Sequence, residues 1–118
     1  MQRMGRAVLQ WAFRFRKDAM LYMILGRDAE DSLPRRKLAR EAHLARLQAL
    51  ADEGRLLLAG PLPTIDAEDP GPAGFSGSLV VAEFASLDAA RSWADADPYL
   101  QSGAWLDADV RPFKAVLP

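Results

Sequence analysis

The sequence predicts a single α+β domain with the order β-α-β-β-α-β, and three observations carry that prediction. The chain has 118 residues, half of them apolar and about a quarter charged, which is the size and composition of one domain around one core. Short apolar runs bounded by glycine, proline or serine recur at 20–25, 56–59, 78–84 and 110–116, as strands do. Two of the intervals between them carry helix start signals and helical spacing of apolar residues.

The run 20–25 is closed by Gly26 and suits a short strand buried on both faces. Ser32 stands at an N-cap position with Pro34 just inside it, and apolar residues then recur at 38, 42, 44, 47, 50 and 51 until Gly54. One long amphipathic helix follows from that spacing. Leu56 to Ala59 forms a second strand, ended by Gly60 and Pro61. Residues 60–77 hold four glycines and four prolines among eighteen residues, with Asp66, Glu68 and Asp69 between them. They are expected to form a long loop, either a lid over a binding site or a plain hairpin excursion.

A third strand is expected at 78–84, and Ser86 then caps a helix with Leu87, Ala90 and Trp93 on one side, broken at Asp97-Pro98. After a turn through Gly103, residues 110–116 alternate as a last edge strand interrupted by Pro112. This order is that of the ferredoxin-like split βαβ fold, a four-stranded antiparallel sheet with two helices on one face. The other face would leave apolar side chains in water, so a homodimer packing sheet against sheet is expected.

Charge divides the chain. Residues 1–19 carry Arg3, Arg6, Arg14, Arg16 and Lys17 against Asp18, a net of +4, which leaves −5 of the overall −1 for the remainder. An acidic domain lacks the clustered cations that replace counterions on a phosphate backbone, so no nucleic acid is expected as partner. The basic leader has an apolar run too interrupted for a signal peptide and too short and charged to span a bilayer. Val8, Trp11, Ala12 and Phe15 share a helical face and would suit a surface helix. The preferred reading is that translation starts at Met20 and the domain is 20–118, with no membrane contact. The absence of cysteine removes disulfides and thiolate chemistry and agrees with a cytoplasmic protein.

His43 is the one histidine, and Leu47 and Leu50 at i+4 and i+7 place it on or beside the apolar face of the first helix. It is the candidate general acid or base, with a core histidine hydrogen-bonded for structure as the alternative. Asp97, in Asp95-Ala96-Asp97-Pro98-Tyr99, is either the carboxylate that orients that histidine or an ordinary N-cap before proline. Ser78 and Phe75, at the far end of the 60–77 segment, are candidate walls of a substrate pocket, and the serines of Phe75-Ser76-Gly77-Ser78 read more simply as strand-entry hydrogen bonders. Trp93, Tyr99, Trp105 and Phe113 read as core or dimer packing. No phosphate loop, metal-spaced cluster or Gly-x-Ser-x-Gly elbow is present, so no cofactor and no metal are expected.

The segments His43-Leu44-Ala45-Arg46-Leu47, Asp52-Glu53-Gly54-Arg55-Leu56-Leu57, Ala59-Gly60-Pro61, Gly74-Phe75-Ser76-Gly77-Ser78, Asp97-Pro98-Tyr99 and Arg111-Pro112-Phe113-Lys114 occur in the order and spacing of the YciI-like (YCII-related) family. The resemblance covers the chain from about Met20 onward. It implies a domain that dimerises through its sheets in the dimeric α/β-barrel style, and a histidine and aspartate active-site pair matching His43 and Asp97. Family membership does not settle the chemistry, although a related protein is a dehydrochlorinase of a chlorinated hydroxyquinol; the leading expectation is a cofactor-free lyase or hydrolase working by proton transfer on a small molecule. A non-catalytic ligand-binding or accessory dimer is the alternative.

Overall fold

A computed structural model describes residues 20–118, so the leader and its possible surface helix lie outside the described residues. Strand β1 (Leu21–Asp28) leads into helix α1 (Leu33–Asp52), then β2 (Leu56–Pro63), a single 3₁₀ turn (Gly71–Ala73) and β3 (Phe75–Glu83). Helix α2 (Leu87–Asp95), the short helix α3 (Pro98–Gln101) and β4 (Trp105–Phe113) complete the chain. The sheet order is β2-β3-β1-β4, with every neighbouring pair antiparallel. This is the ferredoxin-like α+β architecture that the sequence predicts.

Three elements differ in extent from the sequence reading, each for a local reason. β1 runs through Gly26 because that position is covered by the Trp105 indole, and a Cβ there would lie 2.2 Å from a ring carbon. The expected start of the last strand at 110 moves back to Trp105, since Asp28 pairs with Trp105 after a register shift at Arg27/Asp28. Pro112 is tolerated because β4 is an edge strand, hydrogen-bonded only to β1. The segment 60–77 is strand at both ends: Pro61 pairs with Ser78, Leu62 with Gly77 and Pro63 with Phe75, which shortens the expected loop to the connection 64–74. Two prolines fit in β2 because it, too, is an edge.

The face of α1 that packs on the sheet also departs from the apolar spacing. Its buried residues are Arg36, Ala39, His43, Leu47 and Leu50, whereas Leu38 is 84% exposed and Ala42 and Leu44 are also exposed. Positions 38, 42 and 44 therefore do not build the core, because the buried stripe runs through Arg36, Ala39, His43, Leu47 and Leu50 and includes two polar residues. Ser32 takes the N-cap position without making a cap bond, and its hydroxyl donates instead to Asp28 on β1. Ser86 behaves as expected and accepts from the Ala89 N–H at 3.0 Å.

The core lies between the helices and one sheet face, where Tyr22, Ile24, Val80, Ala82, Val110 and Trp105 meet Leu50, Ala90 and Ala94. Burying each large apolar side chain contributes about 1.5–3 kcal/mol. Strand alternation sends Met23, Leu25, Leu58, Leu79 and Val81 to the opposite face, outside the core cluster, where Val81 is buried and Leu58 is exposed.

Candidate functional site

The chain reverses from α2 to α3 at Asp97, and the geometry of that corner decides what the aspartate does. Its backbone is extended, its side chain accepts from the Tyr99 N–H at 2.9 Å, and Pro98 follows at the first helical position. It is thus the N-cap of α3. The same carboxylate, completely buried, lies 2.9 and 3.0 Å from Nδ1 of His43 across the core. A carboxylate only accepts, so Nδ1 must carry the proton it donates. The capping and orienting readings of Asp97 are one arrangement, because the turn that needs a cap is also what aims the second oxygen at α1.

His43 is only 5% exposed and is clamped on three sides. The Tyr99 ring stacks on the imidazole at 3.9 Å and 11°, and the Trp105 indole meets it edge-on at 5.6 Å. Nδ1 faces Asp97, and Nε2 makes no hydrogen bond among the described residues. The neutral ring in this tautomer offers a lone pair at Nε2. His43 also lines a cavity of about 520 Å³ beside the helix, so that nitrogen is the ring's remaining polar atom at a site large enough for a small organic molecule.

Asp97 has a second cationic neighbour that the apolar spacing does not reveal. Arg46, one turn beyond His43 on α1, places Nη1 3.6 Å from Asp97 Oδ2, donates through Nη2 to the Trp93 carbonyl at 2.8 Å, and stacks on the Trp93 ring at 4.2 Å. Nη1 itself is buried without a hydrogen bond, held by charge alone. Burial pulls the guanidinium below its usual range and Asp97 pulls it back up, and an arginine remains protonated through such a shift.

A second polar network forms the opposite end of the cavity. Arg36 is fixed by Asp28, which accepts from Nε at 2.7 Å and from Nη2 at 2.8 Å, while the Gly77 carbonyl and the Ser78 hydroxyl accept further bonds from Nη2. Its guanidinium also lies 4.9 Å from the Phe75 ring and 5.0 Å from the Tyr99 ring. Ser78 and Phe75 therefore stand in the cavity wall, Ser78 as a partner of Arg36. The wall on the sheet side is β2 and β3, with Ala59, Gly60 and Pro61 from β2, and not the 64–74 connection, so no lid of the expected kind covers it. Burial raises the Tyr99 phenol above the ordinary tyrosine range, which Arg36 and Arg40 partly oppose, so the hydroxyl stays protonated at neutral pH.

Arg36, Arg46 and Asp28 are site residues that the sequence reading does not single out, and Tyr99, read there as packing, is both packed on His43 and part of the cavity wall. A signal exists for some of them: Arg36, Arg40 and His43 recur at i, i+4 and i+7 on one side of the helix. Among the described residues no group of three potential metal ligands comes together, and no helix is long and apolar enough to cross a membrane.

Comparison with known proteins places this geometry among relatives. The chain is 60% identical over 97 residues to Protein YciI of Escherichia coli, an alignment covering 82% of this chain and 99% of that one. It is 50% identical over the same length to an uncharacterised protein of Haemophilus influenzae. Among solved structures it resembles the 5-chloro-2-hydroxyhydroquinone dehydrochlorinase TftG of Burkholderia phenoliruptrix, in complex with 2,5-dihydroxybenzoquinone. That match has a TM-score of 0.69 and 27% identity and covers 80% of this chain and 94% of that chain. The YCII-related domain model matches residues 20–114, and the chain belongs to that family.

Proposed function

We propose that this protein is a small-molecule enzyme of lyase type that moves a proton with His43 as general base and Asp97 as the residue that positions it. The observation that carries this reading is the fully buried Asp97 carboxylate on Nδ1, which leaves the basic lone pair of His43 on Nε2, beside the cavity. An imidazole held in one tautomer by a carboxylate is the arrangement that proton abstraction needs, since Asp97 also stabilises the imidazolium once formed.

The substrate class follows from the chemistry and from the relative. In the 1,4-diketo tautomer of a chlorinated hydroxyquinol, a C–H next to a carbonyl gives its proton to Nε2, and the electron pair of that bond forms a new ring C=C as chloride leaves the neighbouring sp3 carbon with its own bonding pair, giving the hydroxyquinone. HCl is lost with no change in oxidation state overall. The dehydrochlorinase relative was solved with a hydroxyquinone, a planar molecule of a size that fits a cavity of about 520 Å³. A chlorinated hydroxyquinol is accordingly the first substrate to test.

Chloride release from 5-chloro-2-hydroxyhydroquinone by the purified chain, measured with a chloride electrode, tests the proposal. Removing a general base costs roughly 10²- to 10⁴-fold in rate. His43→Ala should show a loss of that size while retaining its circular dichroism spectrum, and release that is indifferent to His43 would overturn the proposal.

The second reading, a ligand-binding or accessory module, has its own supporting observation, because Asp97 caps α3 and so has a structural reason to be present. It predicts that His43→Ala binds a hydroxyquinone as wild type does. We also propose a homodimer through the sheet face away from the helices, supported by Leu58 at 47% exposure and Leu62 at 38%, both paired with β3 on the edge strand β2.

A further inference from the structure

We infer that the cavity is selective for organic anions, and that Arg36, held by Asp28, is the residue that receives the anionic oxygen at the end of the cavity away from Asp97. The inference deepens the proton-transfer reading by naming the charge state of its substrate, and it rests on that reading for the role of His43.

Arg36 is buried, yet its fork is only partly used. Asp28 takes Nε and Nη2, the Gly77 carbonyl and Ser78 take Nη2 again, and Nη1 has no hydrogen-bond partner among the described residues. Nη1 is also not among the buried atoms that lack a partner, so it is reachable by solvent. Arg36 lines the cavity beside the Tyr99 phenol, with which it interacts, and its Nη1 makes no ion pair there. A guanidinium clamped on one edge by a carboxylate and free on the other is already oriented, and an incoming oxygen orders nothing further.

The surroundings carry one sign of charge. Lys37 and Arg40 line the same cavity, neither forms an ion pair among the described residues, and no Asp or Glu is in the lining. This occurs in a domain whose residues 20–118 carry a net of −5, so the cationic cavity is set against an acidic surface. Such a contrast steers anions to the cavity. Tyr99 ties the two ends together. Its ring stacks on His43 on one side and lies beside Arg36 on the other, and its phenol stays protonated, able to donate to an oxygen at the Arg36 end.

A ring oxygen at Arg36 and a reacting C–H at Nε2 then define one substrate orientation. As the proton leaves for His43, negative charge develops on the conjugated oxygen, where Arg36 and Tyr99 stabilise it. The chemical class is a planar phenolate, enolate or hydroxyquinone anion. A neutral aromatic of the same shape leaves Arg36 Nη1 unpaired and gains only apolar contact.

The experiment is equilibrium titration of the full chain with 2,5-dihydroxybenzoquinone, ionised at neutral pH, and with 2,5-dimethoxybenzoquinone as its uncharged counterpart. Arg36→Met alone would strand Asp28, so the test variant is Asp28→Leu/Arg36→Met, which replaces the buried pair by apolar residues, a change that commonly preserves stability. The double variant should bind the anion at least about 10-fold more weakly while its affinity for the neutral quinone changes less than about 3-fold. Arg40→Gln, at an exposed position, should weaken the anion alone and flatten the salt dependence of binding. Equal loss for both quinones, or unchanged anion affinity in the double variant, would overturn the inference. Because these are binding measurements, their outcome is separable from the chloride-release result: anion binding without turnover would leave this inference standing and remove the enzymatic one.

Discussion

Changing Asp97 to Asn replaces one buried acceptor oxygen by a donor and leaves the shape almost unaltered, so it isolates what the carboxylate does. An asparagine has one acceptor, while two donors converge on this position, the Tyr99 N–H and the His43 Nδ1–H. The backbone donor is fixed, whereas the imidazole can move its proton to the other nitrogen. Tyr99 therefore keeps the carbonyl oxygen, the amide NH₂ turns to His43, and the ring shifts to the Nε2–H tautomer. Asn is a good N-cap, so capping of α3 survives. What is lost is a charge-assisted bond to His43 and the countercharge for Arg46, about 1–3 kcal/mol. Asp97→Ala removes the cap as well and leaves both donors without an acceptor and Arg46 without its countercharge, about 3–5 kcal/mol, a large part of a typical domain's stability. Urea denaturation followed by tryptophan fluorescence gives both values. Nitrogen-15 NMR of the ring is unambiguous because His43 is the only histidine. A ring that stays protonated on Nδ1 in Asp97→Asn, with a stability loss under about 0.5 kcal/mol, would refute the assignment of tautomer and of role together.

Other outcomes follow from the same packing. Gly26→Ala pushes a methyl to 2.2 Å from the Trp105 ring, a rigid neighbour that also abuts His43 and Tyr99, and should cost about 1–3 kcal/mol or more in urea denaturation and broaden the His43 resonances. Tyr99 should ionise above the ordinary tyrosine range in an alkaline absorbance titration, and Tyr99→Phe should remove that transition. Because its folded proton affinity is raised, the neutral phenol stabilises the fold below about pH 10, and that contribution is lost as pH climbs through the folded value. Tyr99→Phe should flatten this alkaline loss, and an unchanged alkaline profile would count against a buried phenol. Met23→Glu with Leu58→Glu should convert a dimer to a monomer by light scattering if the open sheet face is the interface, while a wild type that is already monomeric would remove that proposal.

Element order and type were legible because apolar runs, Ser86, Pro98 and the glycines mark them locally. The extents of strands were not, since pairing and not propensity decides them. Pro61 and Pro63 read as loop residues until β3 supplies a partner along the edge, and Trp105 joins β4 opposite Asp28 with its indole lying over Gly26, which has no side chain to meet it. The site was half legible. His43 and Asp97 are visible because each is chemically distinctive and set in a family motif, but Arg36 and Arg46 look like surface cations on a helix with many of them. Nothing local says that Leu38 points to water while Arg36 points inward. That inversion requires Asp28, eight residues away on another element, to neutralise the guanidinium.

The distribution of buried polar groups bears on whether this constellation serves the fold or the chemistry. Ser32, Arg36, His43, Ser78 and Asp97 are the buried polar residues among those described, and every one belongs to the Asp28–Arg36 or the His43–Asp97 network. If they existed to stabilise the domain, apolar residues of similar volume would do as well or better, because desolvation offsets most of what a buried ion pair gains. Elsewhere the interior is apolar, so the sequence is capable of that solution. Concentrating the polar groups around one cavity, with one free imidazole nitrogen and one free guanidinium nitrogen, is what catalysis or recognition needs and stability does not. A stability-only role predicts that Asp28→Leu/Arg36→Met destabilises the protein by several kcal/mol. A functional role predicts a change within about 1 kcal/mol alongside the loss of anion binding, and the denaturation midpoint of that one variant separates the two.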